Sequence, residues 1–448
     1  MDEKTARSSE TDLPVVHVES PDKGDGPFEE TPRKSWFGTI VNKLVLSGVE
    51  MRSLEPVPVE QRTHTKYYNI LTLFGGSFMS LLPISIGTTP TLVFGLSFRD
   101  AAIMIPTMQL ILICPTLYIL TLAPQLGMRQ SVQLRYAFGR YPIALVSVII
   151  IIMTGIFGIL ASVGGAECLW AVRPAPAAVT GARPFLATIS ICASNMITWG
   201  VLVGDYACYM PPKAPRLRLA LYCLMGLYVP FSLLMILGAA IGGAIPAIPS
   251  WTVAYQQGSF GGVLGEILTS RVGGFGRFCL VILGFSIVTT SARDMYSISL
   301  YLASIIPRLH RVPRVLVLIA TAGAMTGIGI AASSSFLPSL STLVSIAGYM
   351  TGPIVGCFLV EYLVFRKADP TSMDPTIWNN PKALPTGIPA LISTLVPWAL
   401  IVPSMDTVWY SGPIAKVVGD LAWELGTASA VVLYLPLRAM EISFRGRL

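Results

Sequence analysis

Apolar runs of about twenty residues recur from Tyr68 to near the C-terminus, separated by shorter polar connections. A helix needs about 20 mostly apolar residues to cross the hydrocarbon core of a bilayer. On that rule the pattern predicts ten spanning helices, near 68–88, 99–122, 142–172, 184–206, 219–245, 276–304, 312–332, 336–365, 388–404 and 419–437. The third and eighth runs exceed what a bilayer requires, which predicts tilt or an end that projects into water. Residues 1–34 are polar, of mixed charge, and lack the apolar stretch of a signal peptide, so they read as a disordered head. Over 35–50, Trp36, Phe37, Ile40, Val41, Leu44 and Val45 recur at helical spacing. That run is too short to span and reads either as an interfacial helix or as one packed on the protein's own cytoplasmic surface. The pattern therefore divides the chain into an N-terminal segment, 1–66, a membrane domain, 67–438, and a tail, 439–448. Within the longest outer connection, about 246–275, the stretch Gly261 to Leu268 looks amphipathic and predicts a surface helix.

Composition agrees with an all-α integral membrane protein: 53% of the 448 residues are hydrophobic and 12% charged, against about 25% charged in a soluble domain. The net charge of +7 is spread in short groups between apolar runs, which reads as membrane orientation and not as a nucleic-acid surface. With the N-terminus inside and spans alternating, Arg129/Arg135/Arg140, Lys213/Arg216/Arg218, Arg308/Arg311/Arg314, Arg366/Lys367/Lys382 and Arg438/Arg445/Arg447 all fall on the cytoplasmic side. The opposite connections hold only Arg99, Arg173, Arg183, Arg271 and Lys416, so the positive-inside rule places both termini in the cytosol. The seven cysteines are isolated in or beside apolar segments and the three histidines are scattered, so no metal site and no disulfide framework can be argued. No nucleotide-binding loop, catalytic triad or cofactor motif has supporting context.

Ionisable groups inside spans cost a few kcal/mol and mark pathways or buried pairs. Asp205, at the end of the fourth run, is a candidate for proton or cation coupling; the alternative is a carboxylate solvated or paired with Lys213. Arg293 and Asp294 lie together within the sixth run, TTSARDMYS, and need either each other or a water-filled cavity. Glu167 and Glu361 lie near the ends of their runs and read as snorkelling to the interface. The glycine pair Gly75-Gly76 in the first run, with Gly164-Gly165 and Gly200/Gly204 later, permits either close helix packing or a helix break whose freed backbone binds a solute. Short, Gly-interrupted runs in both halves are the pattern of a transporter built from inverted repeats.

Several segments match one family together: PVPVEQRTHTKYYN from Pro56, LLPIS from Leu81, GLSFRDA from Gly95, GMRQSVQLRYAFGRYP from Gly127 and WGVLVGDYACYMP from Trp199. Later come IAGYMTGPIVGCFLVEYLVFR from Ile346, WNNPKALPTGIPAL from Trp378, WYSGPIAKVVGD from Trp409 and LPLRAME from Leu435. From about residue 49 to its end the chain resembles the fungal purine-cytosine permeases of the nucleobase-cation-symport-1 family. The resemblance implies an inverted-repeat, LeuT-like fold of twelve helices, with about ten here, and proton-coupled uptake of nucleobases across the plasma membrane without a cofactor. Trp199 stands where the family has a stacking tryptophan, although a lone intramembrane Trp is otherwise an interfacial anchor. Ser291, Asp294, Gly75 and Gly76 are the further substrate-binding candidates. The partners implied are the base, a proton and the lipid bilayer.

The chain departs from that pattern in two ways. After VGGAECLWAV, Val163 to Val172, it passes through RPAPAAVTGAR into the equivalent of the family's sixth helix, so the fourth and fifth are missing. Losing an even number leaves the charge alternation intact. Further, Gly76, Phe78, Ile156 and Leu160 stand where the family has Ser, Asn, Trp and Asn, and Ser291-Ala292-Arg293-Asp294 stands for Asn-Ile-Pro-Asn. That predicts an aliphatic pocket unable to pair with a base's edge. The competing readings are a non-transporting paralogue, an incomplete gene model, or a nucleobase sensor.

Overall fold

The computed structural model describes residues 54–167, 182–306, 309, 312, 314–332, 337–407 and 409–448, and the side chains of all these except 160–167, 257–259, 329, 331–332 and 337–341. The predicted head and the helix over 35–50 lie outside the described residues. Among those residues there are no strands, only an isolated bridge between Asp406 and Ser411.

Among the described residues, twelve longer helical segments carry the fold. The first apolar run is a bent pair, α1 (Asn69–Phe78) and α2 (Leu81–Val93), meeting at 53°. After these come α3 (Phe98–Leu126), α4 (Ile143–Glu167), α5 (Ala182–Val201) and α6 (Arg216–Ala247). They are followed by α7 (Pro249–Val272), α8 (Gly274–Ile305) and α9 (Arg314–Ala332). The series closes with α10 (Leu337–Val360, prolonged by a wide turn over Glu361–Phe365), α11 (Ile388–Ser404) and α12 (Ala422–Arg445). Among the described residues six helices are long and apolar enough to cross a bilayer, or seven with the bent pair counted as one. Three shorter apolar helices, Ile143–Ile159, Arg314–Ile328 and Ile388–Ser404, fall on the remaining predicted runs. The surface helix expected over 261–268 is a single helix, α7, three times as long.

The break in the first run does not fall at Gly75-Gly76. Both glycines are inside α1, and the chain turns at Met79 and Ser80, the latter fully extended with φ −136° and ψ 171°. Pro83 sits in the first turn of α2, where its missing N–H would have had no helical partner, so the chain restarts there at no cost. The freed backbone is taken up by hydroxyls of α8. Thr290 Oγ1 donates to the carbonyl of Ser77 at 2.7 Å, and Leu81 N–H donates to Ser286 Oγ at 3.2 Å. In lipid this repair is obligatory, because no water can satisfy the exposed groups.

Glycines let α6 approach both halves of the bent pair. A Cβ on Gly238 would lie 2.1 Å from the carbonyl oxygen of Ile84 and 2.9 Å from Cα of Gly87, and one on Gly226 would lie 2.9 Å from the carbonyl of Leu71. Such small-residue crossings are how helices pack closely where lipid supplies no hydrophobic drive. At the end of α3, Gly127 takes φ +63° and Arg62 donates to the terminal carbonyls of Pro124, Gln125 and Leu126 at 3.0–3.1 Å.

Connections that the charge alternation assigns to one side gather at one end. Arg135 donates to the Trp378 carbonyl, Arg140 to Asn379 at 2.5 Å, Arg366 to the Tyr136 carbonyl and Arg445 to the Leu384 carbonyl. At this end Glu361 is buried, not snorkelling: it accepts from Arg438 at 2.8 and 2.9 Å, Tyr434 at 2.9 Å and Arg366 at 3.0 Å. Two arginines from α12 and the end of α10 reach it before solvent does. The side chain of Glu167 lies outside those described.

Candidate substrate site

Two irregular helix segments meet at the centre. The helical hydrogen bonding of α5 tightens from Thr198 into short 3-10 turns, Thr198–Val201 and then Val203–Tyr206, and α1 ends at Phe78. Their last aromatic residues touch: Trp199 packs edge-to-face on Phe78 with centroids 5.3 Å apart and on Phe74 at 5.5 Å. Trp199 is 7% exposed, inside the bundle, and so is not an interfacial anchor.

A cavity of about 30 Å³, room for about one water, opens beside this indole. Its polar lining comes from α5 (Ser194, Asn195, Thr198), α4 (Thr154) and α8 (Thr290, Arg293, Asp294). The guanidinium of Arg293 lies over the Trp199 ring, 4.2 Å from its centroid, and 4.6 Å from that of Phe78. Arg293 Nη2 pairs with Asp294 Oδ1 at 3.3 Å. Arg293 Nε and Nη1, Asp294 Oδ2 and Thr154 Oγ1 are buried without a hydrogen-bond partner.

Of the residues singled out from the sequence, Trp199 and Asp294 share this cavity; Ser291, Gly75 and Gly76 are outside its lining. Ser291 is buried, while the carbonyl of Gly76 accepts from Thr289 at 3.4 Å. Asp205 is elsewhere. It is 2% exposed, so it is not a solvated end carboxylate, and its Oδ1 accepts the N–H of Gln130 at 2.8 Å in the connection after α3. The Asp205 carbonyl accepts from Arg129, whose guanidinium also donates to Tyr296 at 2.7 Å and Tyr209 at 3.2 Å.

The pocket is not aliphatic. Ile156, placed there by the resemblance, lines a separate apolar crevice of about 710 Å³ between α4, α8 and α9. The α4 residues that face the central cavity are Thr154 and Phe157. Sequence reasoning missed Asn195, an amide one helical turn before Trp199 and therefore on the same face; that i, i+4 spacing was the available signal.

Interrupted helices that converge on a small polar and aromatic cavity within a bundle of apolar helices define a membrane transporter. The family described as permease for cytosine/purines, uracil, thiamine and allantoin matches residues 56–181 and 172–426. The chain belongs to this family. It is 24% identical to purine-cytosine permease FCY21 of Saccharomyces cerevisiae, over 91% of this chain and 90% of the relative. It is 26% identical to purine-cytosine permease fcyB of Emericella nidulans, over 98% of each. Among solved structures, Mhp1, a nucleobase-cation-symport-1 family transporter in a closed conformation with bromovinylhydantoin bound, superposes with a TM-score of 0.57 at 14% identity. The superposition covers 88% of this chain and 97% of Mhp1, and shows that the fold is shared. The alignment with FCY21 is 475 positions long, yet 91% of 448 residues fills only about 408 of them.

Proposed function

We propose that this protein carries nucleobases across the plasma membrane in symport with protons, both termini facing the cytosol and ten spans crossing the bilayer. The observation that carries this reading is the meeting of the α1 break and the unwinding end of α5 at Trp199. A flat base stacks on that indole, Asn195 and Asp294 pair with its edge, and the cavity widens as Arg293 leaves the ring. Asp205, tied to the connection after α3, is the coupling candidate: protonation would release Gln130 and loosen that end. Ser291 and Gly75-Gly76 act indirectly: they lie outside the cavity lining, and a Cβ on either glycine would meet open space, so the pair serves backbone freedom near the break and not close packing.

More than sixty positions of the relative have no counterpart here, and the family match divides at 172–181. We read this as the absence of two helices after α4. Translating the genomic DNA between the codons for Val172 and Phe185 tests it: an open frame encoding two apolar spans would mean the gap is not the protein's own.

A second reading, a sensor or non-transporting paralogue, is favoured by Arg293 lying on the stacking face of Trp199. Uptake of radiolabelled hypoxanthine, cytosine and uracil by cells lacking their own permeases separates the two. Transport by the native chain, with affinity lost by about five- to 150-fold in Trp199→Ala, is the expected result, since stacking contributes about 1–3 kcal/mol per base. Binding without uptake would establish the sensor; neither would leave the paralogue.

A further inference from the structure

We propose that Arg293 makes the central site selective for 6-oxopurines over 6-aminopurines, a refinement that rests on the nucleobase reading above. Arg293 is 6% exposed, and only one of its three guanidinium nitrogens has a hydrogen-bond partner. Buried polar atoms in a native protein are almost always paired, so each orphan requires an explanation. Four occur at this one cavity, on Arg293, Asp294 and Thr154. Their balance is uneven: Nε and Nη1 offer only N–H donors, whereas Asp294 Oδ2 is the lone obligate acceptor when ionised, and the Thr154 hydroxyl serves either way.

A ligand that satisfies this set must turn acceptors toward Arg293. The O6 and N7 atoms of a 6-oxopurine form an edge of two adjacent acceptors, which a guanidinium fork engages in its preferred bidentate manner, here Nε or Nη1 together with the second N–H of Nη2, whose other N–H serves Asp294. The same ring then offers N1–H as a donor, the complement of a carboxylate oxygen. Adenine carries an amino group in place of O6, so two donors would face each other across a buried contact. The position of the guanidinium fits the role. It rests on the face of Trp199 where the ring stacks, so a purine displaces it to its own rim without carrying it out of the site.

The experiment is competition by unlabelled hypoxanthine and adenine against radiolabelled hypoxanthine, with the full-length chain in cells lacking their own permeases. Binding to the purified chain is measured alongside. The expected result is that hypoxanthine competes at least about tenfold better than adenine, the ratio that follows from replacing a charge-assisted hydrogen bond by a donor–donor contact. The preference should vanish in Arg293→Gln and shrink in Arg293→Lys, which keeps the charge but loses the fork. Equal or better competition by adenine in the native chain overturns the assignment while leaving the nucleobase reading in place, and needs no variant to fold. A preference that survives Arg293→Gln overturns it too. If neither purine, nor cytosine, nor uracil binds, the nucleobase reading itself falls and the assignment with it.

Discussion

A carboxylate held away from water is tolerated only with its compensating charges in place, and Glu361 depends on Arg366 and Arg438 together. Glu361→Ala would leave both guanidinium groups buried beside an empty site. We expect a loss of about 3–5 kcal/mol, read as a lower unfolding temperature of the detergent-solubilised protein, with Glu361→Gln intermediate. At this scale the sequence was partly legible. Trp199 and Asp294, singled out one through its motif and the other because a charge deep in an apolar run has to be explained, line the same cavity. Asn195 was not, because an amide in a helix looks ordinary until its neighbour one turn later is known to face a cavity. Glu361 was misread for a related reason: position near the end of a run suggests escape to the interface, whereas two of its three partners, Tyr434 and Arg438, come from α12, more than seventy residues later.

Among the elements, the bent pair shows how a membrane helix survives interruption. Its carbonyl at Ser77 depends on Thr290, and its restarting N–H at Leu81 on Ser286. Thr290→Val keeps shape and volume while leaving a buried carbonyl short of a donor, which should cost about 1–3 kcal/mol. The expected outcome is reduced thermal stability and impaired uptake, against little change in Thr326→Val, whose hydroxyl bonds its own helix at an exposed position. The interruption was anticipated but its place was not. Glycine signalled conformational freedom at 75 and 76, yet freedom does not oblige a helix to end, and the turn fell at Met79–Ser80 ahead of Pro83. Hydroxyls six helices downstream, on α8, that repair such a turn leave no local trace in the sequence.

For the whole molecule, the hydropathy pattern placed runs that coincide with the six long apolar helices, the bent pair and the three shorter apolar helices among the described residues, and the charge pattern grouped connections that meet at one end, because both follow from the solvent the chain lives in. Packing between helices was the hidden part, and the glycines of α6 are its clearest instance. Gly238→Ala should cost about 1–3 kcal/mol, since the added methyl meets backbone and not a side chain that can turn away. Gly284→Ala, with nothing within 4 Å, should be neutral or slightly stabilising; thermal unfolding of the two variants side by side is the check. The same geometry bears on how the molecule moves. With Gly226 against Leu71 and Gly238 against Ile84, α6 grips the bent pair above and below its kink, so we expect the kink to keep its angle and the three segments to move, when they move, as one lever. Passage to either face must then open along the seam with α8, where a few hydroxyl contacts act as a latch.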